Sequence, residues 1–244
     1  MTSTRVRPHV ARVLERTRAV LFVFDGTTCD LFSGVDTAAI AYGIRDRLFA
    51  QGHRMSLLTA IATDPLWMLA YAHGVSRDHG IEAEKTVRDA EMAAALTAVP
   101  TPGTDEVLQA CQASGRRVAV VGDTSSAAME AYLHAHDLRH LVGPIIGREQ
   151  RPSSQEPGVA LARQAVKALD AEPSNCTLVS LSPHGMSVAA EAGVQAIGVV
   201  SKHANRKHLA NVGGSVAVSS MHQLAGALTT VSVTDAFETS PEQL

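Results

Sequence analysis

Ala19-Val20-Leu21-Phe22-Val23-Phe24-Asp25-Gly26-Thr27-Thr28-Cys29-Asp30 is the stretch on which the fold turns. An apolar run that stops at Asp-Gly and a pair of hydroxyls predicts a buried strand ended by a tight turn. A strand without polar alternation suits a parallel sheet covered by helices on both faces. Ligands of such sheets bind beyond the carboxyl ends of the strands, which places Asp25, Gly26 and Thr27 at the expected site.

The rest of the chain repeats the theme. Further strands are predicted at Val118–Val121, Leu141–Ile146, Cys176–Leu181, Ala196–Val200 and Ser215–Val218. Helices are predicted between them at Asp105–Ser114, Ala127–His136, Gly158–Leu169, Gly185–Ala192, Lys202–Asn211 and Met221–Leu228. Strands alternating with helices at this spacing predict an α/β fold with a doubly wound parallel sheet. Between Asp30 and Val99 the pattern is helical throughout: Val35–Gln51, Pro65–His73 and a long helix from Ile81 to Val99. Trp67 and Met68 sit at helical spacing there, which favours core positions over a pocket lining. Pro100–Gly103 reads as a linker back to the sheet. The expected division is 1–29 for the first helix and strand, 30–99 for a helical cap, 100–231 for the remaining core and 232–244 for a mobile tail.

Composition sets outer limits. With 244 residues and 45% hydrophobic content the chain can bury a sizeable core. A formal net charge of −3 argues against bulk nucleic-acid binding. Arg5, Arg7, Arg12, Arg16 and Arg18 form a basic N-terminal stretch. Val10, Val13 and Leu14 at helical spacing make a short core-packed helix the better reading than a nucleic-acid arm. Three scattered cysteines, Cys29, Cys111 and Cys176, fit reduced thiols and predict a cytoplasmic protein. No apolar run approaches the length of a membrane span, so no membrane partner is expected.

The segment ending in Asp25-Gly26-Thr27 resembles the first motif of the haloacid dehalogenase superfamily, an apolar strand followed by Asp-x-Asp-Gly-Thr. Cys29, in a Phe-Asp-Gly-x-x-Cys context, is similar to a subgroup trait. Pro102-Gly103, the following helix, Gly115 and the second strand resemble the superfamily's next segment. Ser182-Pro183-His184-Gly185, then Ala189-Ala190 and Ala192-Gly193, resemble the frame of its fourth motif. The resemblance implies a Rossmann-like core, and it likens the helices of residues 30–99 to an inserted cap that closes over the site.

It also implies a chemistry: an Asp attacks phosphorus, and an Asp two residues later acts as acid and base. A hydroxyl after the second strand and a Lys hold the phosphate, and carboxylates hold magnesium. Carried over position by position, the nucleophile falls on Val23 and the acid/base on Asp25. The hydroxyl falls on Gly122, with Thr124 and Ser125 nearby as partial substitutes. The lysine falls on Arg151 and the metal-binding acid on Leu181. Valine cannot attack phosphorus, and magnesium needs carboxylates that Val23 and Leu181 lack. The expectation is therefore a pseudoenzyme of hydrolase ancestry with no cofactor and no metal. It would act by binding a protein partner or a phosphorylated small molecule. Asp25, Gly26, Thr27, Gly122, Asp123, Thr124, Arg151 and Ser182 are the expected ligand contacts. Backbone amides of the Asp25–Thr28 turn and of the residues before Ala127 are expected to form an anion-accepting nest. The alternatives are a rearranged, metal-independent phosphohydrolase using Asp25 and Asp123, with Ser180, Ser182 or His184 nearby, and nucleic-acid binding through the N-terminal arm.

Overall fold

The structure, a computed structural model, describes residues 6–150, 157–201, 207, 209, 212 and 215–233. The expected 202–211 helix falls largely outside these residues, as do Arg151 and all but the first two residues of the expected tail.

Strand β1 (Ala19–Val23) pairs on both edges, with β4 (Arg117–Val121) and with β6 (Cys176–Ser180). Adding β5 (Ile145–Ile146), β7 (Gln195–Val199) and β8 (Val216–Val218) gives a six-stranded sheet of order β5-β4-β1-β6-β7-β8, parallel throughout. Side chains alternate across this sheet. Val20 and Phe22 enter one core, shared with helices α1 (Pro8–Arg16), α6 (Thr104–Ala113), α7 (Ser126–Ala135) and α10 (Met221–Thr230). Ala19 and Leu21 enter the other, shared with α8 (Pro157–Ala168) and α9 (Pro183–Ala192). Both faces are therefore dry, which is why the strand reads as continuous apolar sequence.

The N-terminal helix buries Val10 and Leu14, as the helix reading of that basic stretch anticipates. Between β1 and α6 lie α2 (Thr37–Ala50), α3 (Leu57–Ala60), α4 (Pro65–Val75) and α5 (Arg77–Ala95). Ala41, Ile44, Leu48, Met68, Leu69, Ala72, Ala83 and Val87 give these helices an apolar core of their own. The chain leaves and re-enters the sheet domain through a two-stranded antiparallel ribbon, β2 (Cys29–Asp30) against β3 (Val99–Pro100).

Three expectations are corrected. The long helix does not reach Val99: it ends at Ala95, because Val99 and Pro100 are drawn into the ribbon and proline cannot continue a helix. The strand expected over Leu141–Ile146 is only Ile145–Ile146, preceded by a 3-10 turn at Arg139–Leu141. Pro144 has no N–H to give the ladder, and its carbonyl accepts from Val120 N at 3.0 Å. Trp67 is not in the core but 45% exposed, stacked on Tyr71 at 6.4 Å, while Met68 beside it is fully buried.

Arg116 closes the corner where the first and last helices meet. Its buried guanidinium donates to the carbonyls of Leu14 (3.0 Å), Thr17 (3.1 Å), Leu228 (3.3 Å) and Val231 (2.8 Å). Leu14 and Leu228 lie in the last turns of α1 and α10, so one cation satisfies orphan carbonyls at two helix ends. Burial lowers the pKa of this arginine. Arg116→Ala removes this donor from all four carbonyls, of which Leu14 O still accepts from Thr17 N, and hydrogen bonds to charged groups are each worth about 1.5–3 kcal/mol. We expect a loss of about 3 kcal/mol or more in urea unfolding, with Arg116→Lys recovering only part; a loss below about 1 kcal/mol would show the node to be dispensable.

Candidate active site at the strand ends

The residues after β1 fold back on themselves. Phe24 N donates to Val121 O at 2.8 Å, and the Phe24 carbonyl then accepts from the amides of Thr27, Thr28 and Cys29. Gly26 N donates to Cys29 O at 2.8 Å, and a φ of +72° makes glycine the natural residue there. The Thr28 hydroxyl donates to Val23 O at 2.8 Å. Thr27 is buried, and its hydroxyl accepts from Leu181 N at 3.1 Å, which ties the end of β1 to the end of β6. The turn amides of residues 26–28 thus point at carbonyls of their own chain. This half of the expected anion nest is closed.

In the second half, the amides of Ser125 and Ser126 are taken by carboxylates. Ser125 N donates to Glu91 Oε2 at 3.0 Å, and Ser126 N donates to Glu149 Oε1 and Oε2 at 3.2 and 3.1 Å. These amides begin α7, where an anion is favoured. The chain supplies that anion itself.

Glu91 belongs to α5 and is 1% exposed. It is held by Arg148, whose Nη1 lies 2.7 Å from Glu91 Oε1 and whose Nη2 lies 2.7 Å from Glu84 Oε1. The same guanidinium donates to the Asp123 carbonyl at 2.6 Å. Burial opposes the charge on Arg148, but its bonds to Glu84 and Glu91 more than offset this and raise its pKa. Neither residue belongs to the motif-derived site. A signal exists in the sequence: Gly80, Ala83, Val87, Glu91 and Ala94 mark the buried face of α5 at helical spacing, and one of them is a glutamate.

At the carboxyl end of the sheet lies a cleft of about 360 Å³. It brings together Val23, Asp25, Gly122, Asp123, Thr124, Ser182 and His184 of the expected set. Gly26 and Thr27 do not line it, Ser180 is buried, and Arg151 lies outside the described residues. Leu181 packs against the core on the Phe24 side, and among the described residues it does not line the cleft. Ser182 caps α9 by accepting from Gly185 N at 3.1 Å. Gly185 has no room for a side chain, since a Cβ would stand 2.3 Å from Ser180 Oγ. The cleft interior is apolar, formed by Val121, Leu161, Leu178 and Val188, all buried. From the helices of residues 37–95 Leu66 and Glu91 reach it, and Trp67 does not line it.

Asp25 Oδ1 accepts from Leu31 N at 2.9 Å. The side chain keeps an exposed edge, yet the surrounding chain desolvates the carboxyl and lifts its pKa above the ordinary 3.8. The neighbouring Cys29 thiol is pushed far upward, chiefly by burial and then by Asp25, and is not poised as a nucleophile. Val23 and Leu181 carry no oxygen in their side chains, and the described residues include no cluster of three or more metal-ligating side chains.

Sheet order, an acid-bearing turn after the central strand and a helical excursion beyond that turn define an α/β protein with its site at the strand ends. The chain belongs to the haloacid dehalogenase-like hydrolase family, whose model matches residues 20–199. Solved structures share the fold at low identity. A predicted phosphatase from Clostridium acetobutylicum is 17% identical with a TM-score of 0.64, over 88% of this chain and 99% of its own. A hydrolase from Pseudomonas syringae is 16% identical with a TM-score of 0.63, over 88% and 100%. A family hydrolase from Deinococcus radiodurans, solved with bound phosphate and sodium, is 21% identical with a TM-score of 0.58, over 89% and 97%. No curated protein matches the chain.

Two outcomes follow from the site's charges. Removing one partner of a buried ion pair costs about 3–5 kcal/mol. Glu91→Ala and Arg148→Met should each destabilise on that scale in urea unfolding, and the apolar pair Glu91→Leu with Arg148→Met should restore much of the loss. Additive losses in the double variant would mean that the two side chains act independently.

A carboxyl with a raised folded-state pKa binds its proton more tightly in the folded chain, so its contribution to stability falls as pH rises through that pKa. Asp25→Asn should therefore raise the urea midpoint near pH 7. The gain should vanish below the unfolded-state value of 3.8. A midpoint that drops at neutral pH would show the charged form to be the stabilised one.

Proposed function

We propose that this chain is a non-catalytic member of its family, which works by binding a small molecule in the cleft or a protein partner. One observation carries the reading. Where aspartyl-phosphate chemistry needs carboxylates, the two central strands end in Val23 and Leu181, side chains that can neither attack phosphorus nor hold a metal. The closed amides support it, because a phosphate would find the α7 N-terminus already capped by Glu91 and Glu149. Asp25 remains, but an acid and base without a nucleophile does not complete the reaction.

The helical excursion supports a partner. Among the described residues, the exposed large apolar side chains all fall between Phe49 and Val99, including Leu57, Leu58, Ile61, Trp67 and Leu96. Where exposed apolar side chains join into one patch they mark an interaction surface, and the stacked Trp67 and Tyr71 are such neighbours.

The purified protein should release no phosphate from para-nitrophenyl phosphate, with or without magnesium. Val23→Asp alone should not restore turnover, because Leu181 still withholds the second carboxylate. Metal-dependent turnover that disappears in Asp25→Asn would overturn the reading. Rescue by the single change would show that the metal is held elsewhere.

A further inference from the structure

The cleft is built for a different ligand from the phosphate its fold relatives are equipped to take. Its apolar lining is Val121, Leu161, Leu178 and Val188, all buried, with the half-buried Val23 and Leu66. Its volume of about 360 Å³ is that of a small-molecule site. Among the described residues, two amides at the start of α7 and one guanidinium that would welcome an anion are taken from within. The α7 amides are bonded to Glu91 and Glu149, and the Arg148 guanidinium is spent on Glu84, Glu91 and the Asp123 carbonyl. Asp25, Glu91 and Asp123 line the cleft beside Thr124, Ser182 and His184, so a phosphate entering it would meet three acids and a wall that is largely apolar elsewhere.

From this geometry we infer that the cleft holds a compact, uncharged, mainly apolar molecule that presents a hydrogen-bond donor to Asp25, and that it turns phosphate away. The inference rests on the non-catalytic reading above and names its ligand class. The Asp25 carboxyl already accepts from Leu31 N, and as a cleft-lining group with more lone pairs than backbone donors it is the acceptor offered to the ligand. The apolar body supplies the affinity, and the polar contact at Asp25 fixes its orientation. The replacement of a nucleophilic acid by Val23 then has a use: it extends the apolar lining.

The test is a calorimetric titration of the full chain with two matched probes, cyclohexylmethanol and cyclohexylmethyl phosphate, in metal-free buffer with phosphate release followed in parallel. The alcohol should bind at least tenfold more tightly than the ester. Val23→Asp, which puts a charge in the lining, should weaken the alcohol by tenfold or more; should that variant fail to fold, Leu66→Asn in the same lining should weaken it in the same direction. Binding of the ester equal to or tighter than that of the alcohol overturns the inference, as does absence of binding by the alcohol. Ester bound but left intact strikes the ligand class alone. Phosphate released from it strikes the non-catalytic reading as well.

Discussion

A guanidinium shut between two carboxylates fastens the helices of residues 37–95 to the sheet. Arg148 follows β5, Glu84 and Glu91 lie on α5, and the contact also reaches the Asp123 carbonyl at the end of β4. Desolvating three charges is expensive, and the pairing offsets that cost only because the bonds are several and short. The relative placement of the two halves of the molecule follows from it. So does the cleft between them, whose far wall is α8 and α9 and which α4 reaches through Leu66.

The same contact brings a carboxylate to the N-terminus of α7. A helix N-terminus at the end of a sheet strand attracts negative charge whatever its source. Here Glu91 delivers it from a helix packed above, so the attraction that would capture a ligand becomes internal cohesion. Val23 and Leu181 complete the change. Asparagine at either place would keep a polar pocket that water fills. Valine gives the cleft an apolar wall, while Leu181 packs on the core beside Phe24, and neither side chain adds a charge that a metal would have to offset.

Much of this was legible in the sequence because it is local. An apolar run ending in Asp-Gly marks β1 and its turn, and alternating strands and helices give the sheet. Position-by-position likeness to the first motif put Val23 and Asp25 side by side at the cleft. What stayed hidden depends on distant partners. Val99 and Pro100 look like the end of a helix until Cys29 and Asp30 are known to lie across from them. Trp67 has the spacing of a core residue, yet Met68 took the interior position. The turn amides looked available because nothing in the sequence says that the Phe24 and Cys29 carbonyls would claim them. Glu91 and Arg148 stand 57 residues apart, and only the oddity of a glutamate on an apolar helix face hints at a buried cation.

The node at Arg116 bears on the order in which the chain can be completed during synthesis. Two of its acceptors, Leu14 and Thr17, precede it, and two, Leu228 and Val231, follow more than 100 residues later. Until the last helix has left the ribosome, this cation has only half of its partners, and the face of the sheet beneath α10 stands open. Closing a corner across so long a separation in sequence is slow relative to local helix formation. The nascent chain therefore spends the longest part of its synthesis with that corner unsealed, and chaperones that recognise exposed apolar strands have their natural foothold there.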